Sequence, residues 1–94
     1  MNLDKAKKRI AKCVKRGVKG YPQISLSYFG ETADVATEVS VQFVFEEGAE
    51  AQEQRFVGKT DVREDEVIQS AIVKIIERAE VSTVLVTDTV SLLG

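Results

Sequence analysis

The chain has no histidine and no tryptophan, and only one cysteine, one proline and one methionine in 94 residues. Without histidine there is no imidazole base, no relay behind a serine or cysteine nucleophile, and no histidine-containing metal set. The lone Cys13 cannot close an internal disulfide, which points to a reducing compartment and hence to the cytoplasm. Long apolar runs are missing as well. Stretches such as Val84–Leu85–Val86 fall far short of the about 20 residues that a membrane span needs. The basic N-terminus keeps its Lys and Arg through Lys19, leaving no apolar signal core. The glycines are scattered and match neither the phosphate-binding nor the dinucleotide-binding pattern. No cofactor or metal is expected.

The remaining composition, 44% hydrophobic and 30% charged, is that of a folded domain. The length suits one compact unit over residues 1–94, with a folded surface of roughly 5,400 Å². Periodicity divides it into two helices and about four strands. Leu3, Ala6, Ile10, Cys13 and Val14 recur at three- and four-residue intervals and predict a helix from Leu3 to Arg16, ended by Gly17. Ile24, Leu26 and Tyr28 alternate with polar residues in a strand over Gln23–Phe29. Val39, Val41, Phe43 and Phe45 do the same over Thr37–Glu46, where Val44 is the exception on the polar side. A third strand is expected near Gln54–Gly58, joined to the second by a hairpin through Glu47–Glu50.

The second helix has a broad apolar face of Val67, Ile68, Ala71, Ile72, Ile75, Ile76 and Ala79. Asp61 and Glu64 have the spacing of a capping box at its start. Val84–Leu85–Val86 does not alternate, so the strand at Thr83–Thr87 is expected to be central or covered on both sides. Val90, Leu92 and Leu93 keep the tail apolar; it extends that strand, docks on the core or completes a partner's sheet. The order α-β-β-β-α-β implies an α+β two-layer sandwich. It has a mostly antiparallel four-stranded sheet and both helices on one face, with a right-handed crossover placing the last strand parallel to a neighbour.

Charge is unevenly spread. Residues 1–20 sum to +7 and residues 21–94 to −9, so the net −2 hides a strong polarity. Lys5, Lys8, Arg9, Lys12, Lys15, Arg16 and Lys19 lie on the side of the first helix opposite its apolar residues. That row suits an anionic partner such as the phosphates of RNA or DNA, though it supplies no base-reading geometry. The α-β-β-β-α order resembles that of double-stranded-RNA-binding domains, whose second helix opens with a basic cluster after a His-containing loop. Here that helix opens with Asp61–Val62–Arg63–Glu64–Asp65–Glu66, four acids in six residues, and the resemblance stops at element order.

Catalytic candidates are few. Cys13 lies near Lys12 and Lys15 but on the apolar edge of its helix and has no base, so it reads as a small core residue. Glu46, Glu47, Glu50 and Glu53 lack the spacing of a calcium loop. Among the aromatics, Phe43 and Phe45 share the apolar face with Val39 and Val41, which leaves Phe29 as the exposed ring. Val73 on the charged side of the second helix, Val44 on the polar side of its strand, and Val90, Leu92 and Leu93 in the tail suggest a protein-contact surface. The sequence thus reads as a small non-enzymatic binding or adaptor domain working through protein contacts, with a homodimer as one form of it. Binding of RNA or DNA through the first helix is the alternative.

Overall fold

The computed structural model describes residues 2–93, and for Asp88 the backbone alone. The expected order holds: helix α1 (Leu3–Lys15), strands β1 (Gln23–Gly30), β2 (Glu38–Val44) and β3 (Gln52–Val57), helix α2 (Glu66–Arg78) and strand β4 (Thr83–Leu92). The strands form one sheet in the order β3-β2-β1-β4. β1 runs antiparallel to β2 and parallel to β4, and β2 runs antiparallel to β3. Both helices contribute to one core on one face of the sheet. The shortest extent, 19 Å, fits one layer of strands and one of helices. The exposed area of 6114 Å² exceeds the roughly 5,400 Å² expected for this length, as it must when one sheet face stays bare.

Local chemistry explains the boundaries. Asn2 caps α1, its Oδ1 accepting the Lys5 amide at 2.8 Å. Gly17, with φ of 74°, turns the chain out of the helix in a conformation that L side chains rarely adopt. Thr83 ties this connection to the sheet: its Oγ1 accepts the Lys19 amide and donates to the Gly20 carbonyl, both at 2.8 Å. On β1, alternate residues Ile24, Leu26 and Tyr28 face the helices, opposite Phe43, Val41 and Val39 of β2. Gly30 ends the strand where a Cβ would lie 2.0 Å from the Val35 carbonyl oxygen, so only glycine fits there.

Three expectations need correction. Asp61 does not cap α2. It caps a single 3-10 turn, Val62–Glu64, and α2 begins four residues later, with the Asp65 side chain accepting the Ile68 amide at 3.1 Å. Both aspartates have cap chemistry, and the second is the one followed by helical backbone.

The rotation of α2 also differs. Val73 is not on the outer side but buried, 2% exposed, whereas Val67 is 77% exposed. Apolar residues cover so much of this helix that periodicity alone does not choose the inward direction. Gln69 goes inward because its Nε2 donates to the Val62 carbonyl at 3.0 Å, and Val73 follows one turn on.

Finally, β4 is an edge strand, not a central one, and is longer than expected because the tail extends it to Leu92. Val84–Leu85–Val86 pairs in regular register with Ile24–Ser25–Leu26, and its missing alternation comes from Leu85, an apolar residue left 38% exposed between Val84 and Val86. Leu26 pairs with Val86 and Tyr28 with Val90, so β4 carries two more residues than β1 over this step.

The rotation has a measurable consequence. Val73→Ala is expected to cost about 2 kcal/mol of unfolding free energy through lost burial and the resulting void. Val67→Ala, at an exposed position, is expected to stay within about 0.5 kcal/mol of the parent. Urea denaturation of the two variants checks this; equal losses would show that the helix is turned the other way.

Candidate functional site

Tyr28 is the last side chain of the inward row on β1, and beyond it the core gives way to a cleft. Ile10, Ala11 and Val14 of α1 and Val86 of β4 form its apolar walls. Lys7, Tyr28, Arg63, Glu64 and Gln69 supply polar groups, and the extra residues of β4 bring Thr87 and Thr89 to the rim. Bulges of this kind recur beside binding and active sites, because they re-aim side chains without ending the strand.

Arg63 is held firmly. Asp61 Oδ1 accepts its amide at 3.0 Å and its Nε at 2.9 Å, while Oδ2 accepts Nη2 at 2.6 Å. Nη2 also donates to the Asp34 carbonyl at 3.1 Å. The hydrogen bonds from the Arg63 side chain, reinforced by backbone amides, hold the Asp61 carboxyl at a pKa of about 2 against the opposing effect of its partial burial. Tyr28 moves the other way: burial raises its pKa, outweighing the contact with Gln69 and the nearby Arg63 charge. A tyrosine hydroxyl is protonated at neutral pH and able to donate a hydrogen bond. Lys7 Nζ pairs with Glu64 at 2.7 Å across the entrance.

The residues singled out in the sequence do not converge on this cleft. Lys5, Lys8, Lys12, Lys15 and Arg16 line the outer side of α1, and their side chains make no ion pair among the described residues. Arg9, at the edge of that row, pairs with Glu77 of α2. Lys19 lies beyond the helix end.

The apolar contact set is dispersed. Val73 belongs to the core and is no surface residue, while Val90 is half-buried and packed against that core. Val44 and Leu93 are half-buried, and the Leu93 amide donates to the Gly30 carbonyl at 2.8 Å. Leu92 remains 66% exposed. Phe45, expected under the helices, is also 66% exposed because it lies past the end of β2, although its ring stays near Phe43 with centroids 6.3 Å apart. Phe29, expected bare, is half-covered by the Arg55 guanidinium at 4.7 Å. Cys13 packs on the core as a small residue.

Sequence reasoning missed Tyr28, Arg63, Gln69, Thr87 and Thr89 as a group. Gln69 was the available signal, a polar residue at helical spacing from Ile72 and Ile76. Chemically the cleft presents donors and aliphatic walls. Among the described residues no group of three or more Cys, Asp or Glu side chains is placed to hold a metal. Neither helix is long and apolar enough to cross a membrane.

The clamp predicts how stability responds to acid. Because the folded Asp61 pKa of about 2 lies below the ordinary 3.8, its contribution is complete above about pH 5 and fades as the pH falls from about 4 towards 2. Asp61→Asn should be less stable than the parent at neutral pH, and the gap should narrow over that acid range. Urea titrations at several pH values measure the gap; one that stays constant down to about pH 2 would contradict the assignment. Comparison of the chain with protein families, curated proteins and solved structures finds no match.

Proposed function

We infer that the chain is a non-catalytic binding domain that acts through protein contacts and takes a second copy of itself as a partner. The free edge of β3 carries this reading. Among the described residues β3 pairs with β2 alone, and every residue in it is exposed except the half-buried Phe56. The opposite edge, on β4, is interrupted by its extra residues, a device that discourages pairing. β3 has no bulge in its pairing with β2 and no proline or glycine.

The residues of β3 complement themselves. If two copies pair antiparallel about Gln54, Glu53 of each stands opposite Arg55 of the other, on the bare face of the sheet. Gln54 meets Gln54, and Gln52 meets Phe56. No like charges face each other, and the two Glu–Arg pairs each favour this register.

Sedimentation over a concentration series tests the reading. The parent should self-associate in the micromolar range. Arg55→Glu sets acid against acid twice and should weaken association about tenfold or more. Adding Glu53→Arg to that variant restores opposite charges across the seam and should recover association. A parent that stays monomeric to high micromolar, or a double variant as weak as the single one, would overturn the dimer. Arg55→Glu is common to both variants, so lost contacts to Phe29 and Glu38 do not confuse the comparison.

One observation favours a second reading. The unneutralised cations from Lys5 to Arg16 extend along about 17 Å of helix, enough to meet successive phosphates of RNA or DNA. Anisotropy titrations with RNA and DNA duplexes at two salt concentrations would then show binding that weakens with salt. Replacing Lys8, Lys12 and Arg16 by Gln should abolish it. No binding at low salt would remove this surface from consideration.

A further inference from the structure

The cleft beside Tyr28 has a volume of about 490 Å³, within the range of small-molecule sites. Its lining is of two kinds, aliphatic carbon from Ile10, Val14 and Val86, and hydrogen-bond donors from Tyr28, Arg63, Thr87 and Thr89. The Arg63 fork is half committed: Nε and Nη2 serve Asp61 and the Asp34 carbonyl, while Nη1 donates to none of the described groups. A guanidinium already fixed on one edge loses little freedom when its other edge takes a ligand.

The charge balance narrows the ligand class. Among the described side chains, each cation at the cleft has its own acid, Arg63 with Asp61 and Lys7 with Glu64. A phosphate group with two negative charges would meet as many carboxylates as cations. A single carboxylate needs only the donors that remain, and the aliphatic walls need a hydrocarbon body. We propose that the cleft binds a small amphipathic monocarboxylate. Arg63 Nη1 and the Tyr28 hydroxyl hold its carboxylate, and its apolar chain lies along Ile10, Val14 and Val86. This site is separate from the β3 edge and does not depend on self-association.

Amide chemical shifts of the whole chain, followed by NMR, test it with octanoate, octan-1-ol and inorganic phosphate as probes. Octanoate should give saturable shifts centred on Tyr28, Arg63, Thr87 and Thr89 at millimolar or lower concentration. Octan-1-ol should bind at least tenfold more weakly, and phosphate should leave these amides unmoved. Tyr28→Phe keeps the ring but removes one hydrogen bond to a charged group, so it should weaken octanoate about tenfold. Ala11→Phe, an exposed helix position at the cleft wall, should fill the space and abolish binding while thermal unfolding shows the fold intact. Absence of saturable shifts with octanoate, equal binding of octan-1-ol, or indifference to both substitutions would overturn the proposal.

Discussion

β1 is hydrogen-bonded along both edges, antiparallel to β2 and parallel to β4, and its alternate residues carry the middle of the core. Ile24 and Leu26 are almost fully buried, and each large aliphatic side chain removed from water stabilises the fold by about 1.5–3 kcal/mol. The helices are placed by that row. Ala6 and Ile10 bring α1 onto it, and Ile68, Ile72, Val73 and Ile76 bring α2. Tyr28 ends the row with a residue that is apolar along its ring and polar at its tip, so the core finishes in a hydroxyl rather than a methyl group. The cleft begins at that change, which makes the site a continuation of the core.

The fold was largely legible because its elements obey simple periods. Alternation in β1 and the three- and four-residue spacing in α1 located both within a residue or two of their observed limits. The rotation of α2 was not legible. Val67, Ala71, Ile75 and Val73 widen its apolar surface until several orientations look alike, and the deciding contact, Gln69 with the Val62 carbonyl, lies between elements. The course of β4 was hidden for a similar reason. Thr87–Asp88–Thr89 reads as a break in a strand, and only pairing with β1 shows that the strand resumes at Val90. The cleft was least legible, since Ile10, Tyr28, Arg63 and Val86 are brought together by topology and share no motif.

The polarity seen in the composition acquires a direction in the fold. α1 packs against β4 at one side of the sheet, while β3 forms the opposite edge. Cations thus accumulate along a helix far from the edge on which Glu53 and Arg55 alternate. The two ion pairs at the borders of the basic row, Lys7–Glu64 and Arg9–Glu77, join α1 to the segments around and within α2 and leave the crest of the row unneutralised. Exposed pairs of this kind add little stability, so their main effect is to set which cations remain free.

The length of the β4 irregularity matters for what the chain can tolerate. An excess of one residue would have turned every later side chain to the other face of the sheet. With an excess of two, Val90 faces the helices as Val86 does, and both pack on the core. The strand therefore gains a stretch of backbone at the cleft rim while the core receives the same side chains in the same order. Thr87 and Thr89 can change in size or hydrogen bonding without altering what the core requires, so the rim can vary while the packing beneath stays under separate selection.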